Sequence, residues 1–199
     1  MSSLSVNAAL DSGTPIKLRR ITVDEYHRMI RDGYFADKER FELIDGLILE
    51  KISKNPPHET ARQRARKQIE HQLPDGVTLR SEAPVTLSLS EPEPDLSIVR
   101  GCDEAFITRH PNASDVICLI EVSDSTLELD RGMKLADYAR EGIAPYIIVN
   151  LKERCVIRFD QPNKDSYAVS KRFVSGDLLE LNIDGTTVRF DIAALFAGL

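Results

Sequence analysis

Residues 115–151 read DVICLIEVSDSTLELDRGMKLADYAREGIAPYIIVNL, and this stretch decides the architecture. Val116 to Ile120 is an unbroken apolar run, the pattern of a central strand covered on both faces. A helix is predicted from about Asp130 to Glu141, with Leu135, Tyr138 and Ala139 on one face and Gly142 as its stop. Tyr146 to Val149 is a second apolar run. Strand, helix and strand in that order form a β-α-β unit, so the two strands should lie parallel with a right-handed crossover. In open α/β sheets, sites form beyond the carboxyl ends of such strands. Glu121 stands at that end, where a carboxylate costs desolvation unless it is paired or binds a metal.

Upstream, EPEPDLSIVRG at residues 91–101 places Glu91, Glu93 and Asp95 in alternation with two prolines, just before a short apolar strand. Proline fixes φ and biases its predecessor toward extended backbone, so the acids arrive on a stiff segment. Further strands are predicted near residues 77–81, 84–89 and 95–99. Residues 58–73 read as a helix with Ala61, Ala65, Ile69 and Leu73 in a narrow stripe, ended by Pro74-Asp75-Gly76. The alternating run RFELIDGLILEKI turns at Asp45-Gly46, a hairpin signal. Thr22 with Glu25 has capping-box spacing, which starts a helix at about Val23 that stops after Arg31 at Asp32-Gly33.

Composition bounds the class. The 199 residues, 42% apolar and 29% charged, suit one folded domain over residues 16–199 behind a flexible polar tail, residues 1–15. No apolar run is long enough to span a membrane, and the N-terminus lacks a basic-then-apolar leader, so a cytoplasmic protein is expected. Cys102, Cys118 and Cys155 form neither a CxxC pair nor a disulfide framework. The net charge of −6 argues against a surface that coats nucleic acid as a whole, though not against a local basic groove.

Taken singly, Asp95 reads as a turn cap after Pro94, Glu121 as a strand-end acid reaching solvent, and Lys134 as a surface partner of Asp130 at i,i+4. Taken together they suggest more. Two carboxylates converging at sheet ends suit a hard cation such as Mg²⁺, and a nearby ammonium can position a water and offset phosphate charge. That is an arrangement for metal-assisted phosphodiester hydrolysis.

At these residues the sequence resembles the Uma2 family of restriction-endonuclease-like proteins, formerly a domain of unknown function, which share the PD-(D/E)XK nuclease fold. The matching pieces are FELIDGLI (41–48), His58 ahead of a helix, Pro94-Asp95, IEVSDSTLELDRGMKLADYAREGI (120–143) and YIIVNL (146–151). The resemblance implies a restriction-endonuclease-like three-layer α/β/α core with a mixed sheet, plus an N-terminal helix and β-hairpin. It implies an endonuclease that cleaves DNA with Mg²⁺ or Mn²⁺ held by Asp95, Glu121 and the Val122 carbonyl, with Lys134 assisting the attacking water. Ser123 stands where the motif's own lysine is expected, so the lysine comes from the next helix. Glu42 and His58 are additional candidates. The family's tryptophan after that helix is missing, with Ile147 and Asn150 in that strand instead.

A nuclease must also hold a polyanion. Arg62, Arg64, Arg66 and Lys67 on the 58–73 helix are candidates for phosphate contact, as are Lys17, Arg19 and Arg20, with a solvated helix face as the plain alternative. His71 and Tyr138 read as structural. The rival functions are a non-catalytic module binding nucleic acid or a protein, and a two-carboxylate acid–base hydrolase without a metal. A homodimer would suit cleavage of both strands of a duplex.

Overall fold

The computed structural model describes residues 19–35 and 41–199; the expected tail and Lys17 lie outside them. Thr22 Oγ1 accepts from the Glu25 N–H at 3.1 Å while the Glu25 carboxylate accepts from the Thr22 N–H at 2.9 Å. That reciprocal pair opens α1 (Val23–Arg31), as its spacing predicts. β1 (Phe41–Ile44) and β2 (Leu47–Glu50) pair antiparallel. Asp45 and Gly46 between them have φ of 50° and 72°, the double left-handed turn that matches strand twist. A Cβ on Gly46 would meet Arg20 Cβ at 2.6 Å, so the chain leading into α1 crosses the turn too closely for another residue.

α2 spans Pro56–Glu70 and begins two residues before the expected start. Asn55 caps it by accepting from the His58 N–H at 3.0 Å, and two prolines fill first-turn positions whose N–H groups have no intrahelical use. Ala61, Ala65 and Ile69 are fully buried, as the stripe predicts. The small alanines let the helix approach the sheet, and Ile69 contributes about 2 kcal/mol of apolar burial.

β3 (Val77–Ser81), β4 (Leu96–Arg100), β5 (Val116–Ser123), β6 (Tyr146–Asn150), β7 (Cys155–Asn163) and β8 (Ser166–Phe173) form one six-stranded sheet in that order. The β5–β6 pair is parallel and the others are antiparallel, so the sheet is mixed. The crossover from β5 to β6 consists of α3 (Leu127–Leu129), a π turn (Asp130–Lys134) and α4 (Leu135–Arg140). It covers one face, where Tyr138 and Ile143 join Leu119, Tyr146 and Ile148. α2 covers the other face with the β9 (Leu178–Ile183) and β10 (Thr186–Asp191) hairpin and α5 (Ile192–Phe196). The result is the three-layer arrangement of the expectation.

One expected strand does not form. Residues 84–89 fold back locally, with the Leu87 N–H on Ser90 O at 2.8 Å and the Val85 N–H on Pro92 O at 2.9 Å. Pro84, Pro92 and Pro94 supply no N–H for a sheet ladder. The alternating apolar residues are still buried, because Val85 and Leu87 enter the core from this fold-back. The stretch from residue 155 onward, where no element is predicted, supplies β7 to β10 and α5.

Candidate active site

The antiparallel β4–β5 register sets Leu96 opposite Ile120, which brings Asp95, one residue before β4, beside Glu121. Strand alternation then decides their surroundings. Ile120 and Val122 enter the α2-side core, so Glu121 points to the opposite face, beneath the crossover helix. There Lys134 Nζ donates to Glu121 Oε1 at 3.0 Å, and the Tyr138 hydroxyl donates to the same oxygen at 3.0 Å. Lys134 and Tyr138 lie one helical turn apart, which puts both over one strand residue. Tyr138, which reads as structural in the sequence, is fully buried.

Asp95 is fixed from both sides. Its Oδ2 accepts from the Val122 N–H at 2.8 Å and lies 3.2 Å from His58 Nε2, while its own N–H donates to Glu121 Oε2 at 3.2 Å. Its Oδ1 is bonded by the Lys54 ammonium. His58 Nδ1 is buried without a partner. Glu42 enters from β1: its Oε2 accepts from the Glu93 N–H at 3.2 Å and lies 3.2 Å from Lys134 Nζ. Asp130 is also buried, accepting from Ser123 Oγ and Thr126 Oγ1 at 2.7 Å each. Ser123 thus orients Asp130. Asp95, Glu121, Lys134, Glu42, His58 and Asp130 all line one cleft of about 230 Å³.

The electrostatics of the cleft are unbalanced. Glu42, Asp95, Glu121 and Asp130 are all buried, and the ammoniums bonded within this group are those of Lys134 and Lys54. Burial pushes the Glu121 carboxyl up to about 8, with Lys134 opposing and Asp130, Asp95 and Glu42 reinforcing. Burial works against the Lys134 charge, but Glu121, Glu42 and Asp130 outweigh it and hold the ammonium above its ordinary range. The proton shared by that pair therefore belongs on Lys134, and the raised Glu121 value reflects burial first and the surrounding carboxylates second. Burial would likewise raise Asp95, yet the His58 and Lys54 contacts hold it below the ordinary carboxylate range.

Such a donor set fits a divalent hard cation. Mg²⁺ is characteristically held by one or two carboxylates, with water and substrate phosphate completing its shell. No group of three or more His, Cys, Asp and Glu side chains is disposed as a metal cage among the described residues.

The basic helix face is less available than its composition suggests. Arg62 is buried, bonding Glu59 at 2.6 Å and lying 3.3 Å from Glu82. Arg64 donates to Leu195 O and Ala197 O at 3.2 and 2.6 Å, closing the C-terminal end of α5, and Arg66 pairs with Glu70 at 2.9 Å. Lys67 is the exposed member of the set. Three of the four proposed phosphate contacts are therefore engaged within the fold. Arg19 and Arg20 pair with Glu25 and Asp45. Sequence reasoning missed Lys54 as a site residue and gave Asp130 only a surface role. The π turn that carries Asp130 and Lys134 is a feature common at functional sites, but it leaves no composition signal.

No described helix is long and apolar enough to cross a membrane. No curated protein matches the chain. Among solved structures, the chain is similar to that of a "putative nuclease belonging to DUF820" from Anabaena variabilis, with 16% identity, a TM-score of 0.66, and coverage of 89% of this chain and 98% of that one. That likeness shows a shared fold built on the mixed sheet described above. The family described as "Uma2: Putative restriction endonuclease" matches residues 23–189. The chain belongs to the Uma2 family, whose description is that of a nuclease.

Proposed function

We propose that this chain is a metal-dependent endonuclease that hydrolyses DNA phosphodiester bonds in the Glu121 cleft. The observation that carries the reading is the convergence of Asp95, Glu121 and the Lys134 ammonium at one end of the sheet. Asp95 and Glu121 would hold Mg²⁺ or Mn²⁺. The Val122 carbonyl would join them, because a strand residue's C=O points to the same side as its N–H, and the Val122 N–H points at Asp95. A divalent cation bound there supplies Lewis-acid activation of phosphate and lowers the pKa of bound water.

The chain's own groups do the positioning. Lys134, bonded to Glu121 and close to Glu42, carries a fixed positive charge to the cleft, where it can orient a water and offset charge on phosphate. Because it stays protonated, it acts as a donor and not as a general base. Tyr138 and the Asp95 N–H fix the Glu121 carboxylate, and His58 with the Val122 N–H fixes Asp95. The water oxygen bonds to phosphorus, the bond from phosphorus to the leaving sugar oxygen breaks, and solvent takes up and returns the protons.

The test is cleavage of plasmid and linear DNA by purified protein with Mg²⁺ or Mn²⁺, with EDTA and Glu121→Gln as controls. Metal-dependent cleavage lost in both controls is expected. Metal-independent DNA binding without cleavage would favour a non-catalytic module, a reading to which the engaged arginines of α2 lend nothing.

A further inference from the structure

Lys54 lies in the irregular segment between β2 and α2, yet its ammonium is bonded to Asp95 Oδ1 and, at 2.7 Å, to Glu82 Oε1. The two oxygens of Asp95 are not equivalent. Oδ2 already meets the Val122 N–H and His58 Nε2. Oδ1 is the oxygen left for a cation, and Lys54 stands on it. Glu82 is prepared to keep Lys54 if Asp95 lets go. Its other oxygen lies 3.3 Å from the buried Arg62 guanidinium, and its φ of 49° is a left-handed conformation uncommon outside glycine.

We propose that Lys54 is a positioning residue that exchanges with the metal: its ammonium holds Asp95 Oδ1 in the cation-free protein and retires to Glu82 when a divalent ion takes that oxygen. This rests on the cleft being a divalent-cation site. The exchange keeps Asp95 ionised and correctly turned before the cation arrives. It also sets cation affinity, because each binding event must first break an ammonium–carboxylate contact in a partly buried cleft. A lysine serving only to stabilise the loop would be indifferent to the cation.

Lysine side-chain NMR with ¹³Cε and ¹⁵Nζ labels separates these roles, with the Lys54 signal assigned by its loss in Lys54→Met. Adding Mg²⁺ should move that signal along a curve that saturates with cation binding, and Asp95→Asn should move it without metal. In parallel, Mn²⁺ affinity by electron paramagnetic resonance should rise about fivefold or more in Lys54→Met. Lys51→Met, a control lysine lining the same cleft and bonded to Glu93, should change it far less. Cation binding to the wild type with an unmoved Lys54 signal and unchanged affinity in Lys54→Met would overturn the exchange and leave the nuclease reading standing. Binding by Lys54→Met alone would support the exchange strongly. Binding by neither protein would remove the cation site and the exchange with it.

Discussion

The Lys134 ammonium lies 3.0 Å from Glu121 Oε1, across a gap of 13 residues that holds the end of β5 and a π turn. The contact joins a strand terminus to the helix that crosses over it. The β-α-β connection therefore builds the site as well as the sheet. Around this pair the cleft carries more buried carboxylate than ammonium, which suits it to a cation and adds to the burial that raises the Glu121 pKa.

Glu121→Gln keeps the side chain's size and an acceptor for Lys134 and Tyr138 while removing the charge. It should abolish DNA cleavage and metal-dependent stabilisation, with a circular dichroism spectrum unchanged. DNA binding should persist and, at low salt and at pH above 8 where Glu121 is ionised, be tighter, since one negative charge leaves the groove. Gel-shift titrations at fixed ionic strength check this beside the cleavage assay.

Stability should depend on pH in a direction set by Glu121. Its carboxyl titrates at about 8 in the folded chain against 4.5 as its ordinary value. Between those values the folded chain holds a proton that the unfolded chain has released, so raising the pH favours unfolding. The metal-free protein should lose thermal stability from about pH 5 to pH 8, and Mn²⁺ should restore it most at the upper end. Asp95, depressed in the folded state, gives the opposite slope, but only at pH values below its ordinary carboxylate range.

Lys134→Met leaves Glu121 and Glu42 buried without the ammonium they share. Breaking a buried ion pair from one side costs about 3–5 kcal/mol. Urea denaturation should show a loss of that order at pH 8 and a smaller one near pH 5, where Glu121 is protonated. Cleavage should be suppressed at both.

Tyr138→Phe removes one hydroxyl donor from Glu121 Oε1 and leaves the ring in the core against Tyr146, whose centroid is 4.9 Å away. A hydrogen bond to a charged group is worth about 1.5–3 kcal/mol. The variant should lose stability within that range at pH 8 by urea denaturation and cleave more slowly, because Glu121 is held by fewer partners.

The parts of this structure that were readable in the sequence are those set by local or strictly periodic chemistry. The capping box at Thr22, the Asp45-Gly46 turn and the two apolar runs of the β-α-β unit each carry their own signal. Asp95, Glu121 and Lys134 could be singled out because each sits at a defined place relative to those elements. Lys54 could not, since it lies in a segment without period and meets Asp95 across 41 residues. The misread strand at 84–89 shows the converse: its alternation was real, but prolines turned the segment into a fold-back that buries the same side chains. The partners of the α2 arginines were not readable from composition, since a count of charges does not reveal which carbonyl or carboxylate each one meets.

A crystal soaked with Mn²⁺ and measured for anomalous scattering asks whether Asp95 and Glu121 share a divalent ion. A single strong peak in contact with both carboxylates, with the Lys134 ammonium still on Glu121, is the predicted result. A fully substituted crystal with manganese bound elsewhere, or with none between these two carboxylates, would contradict it.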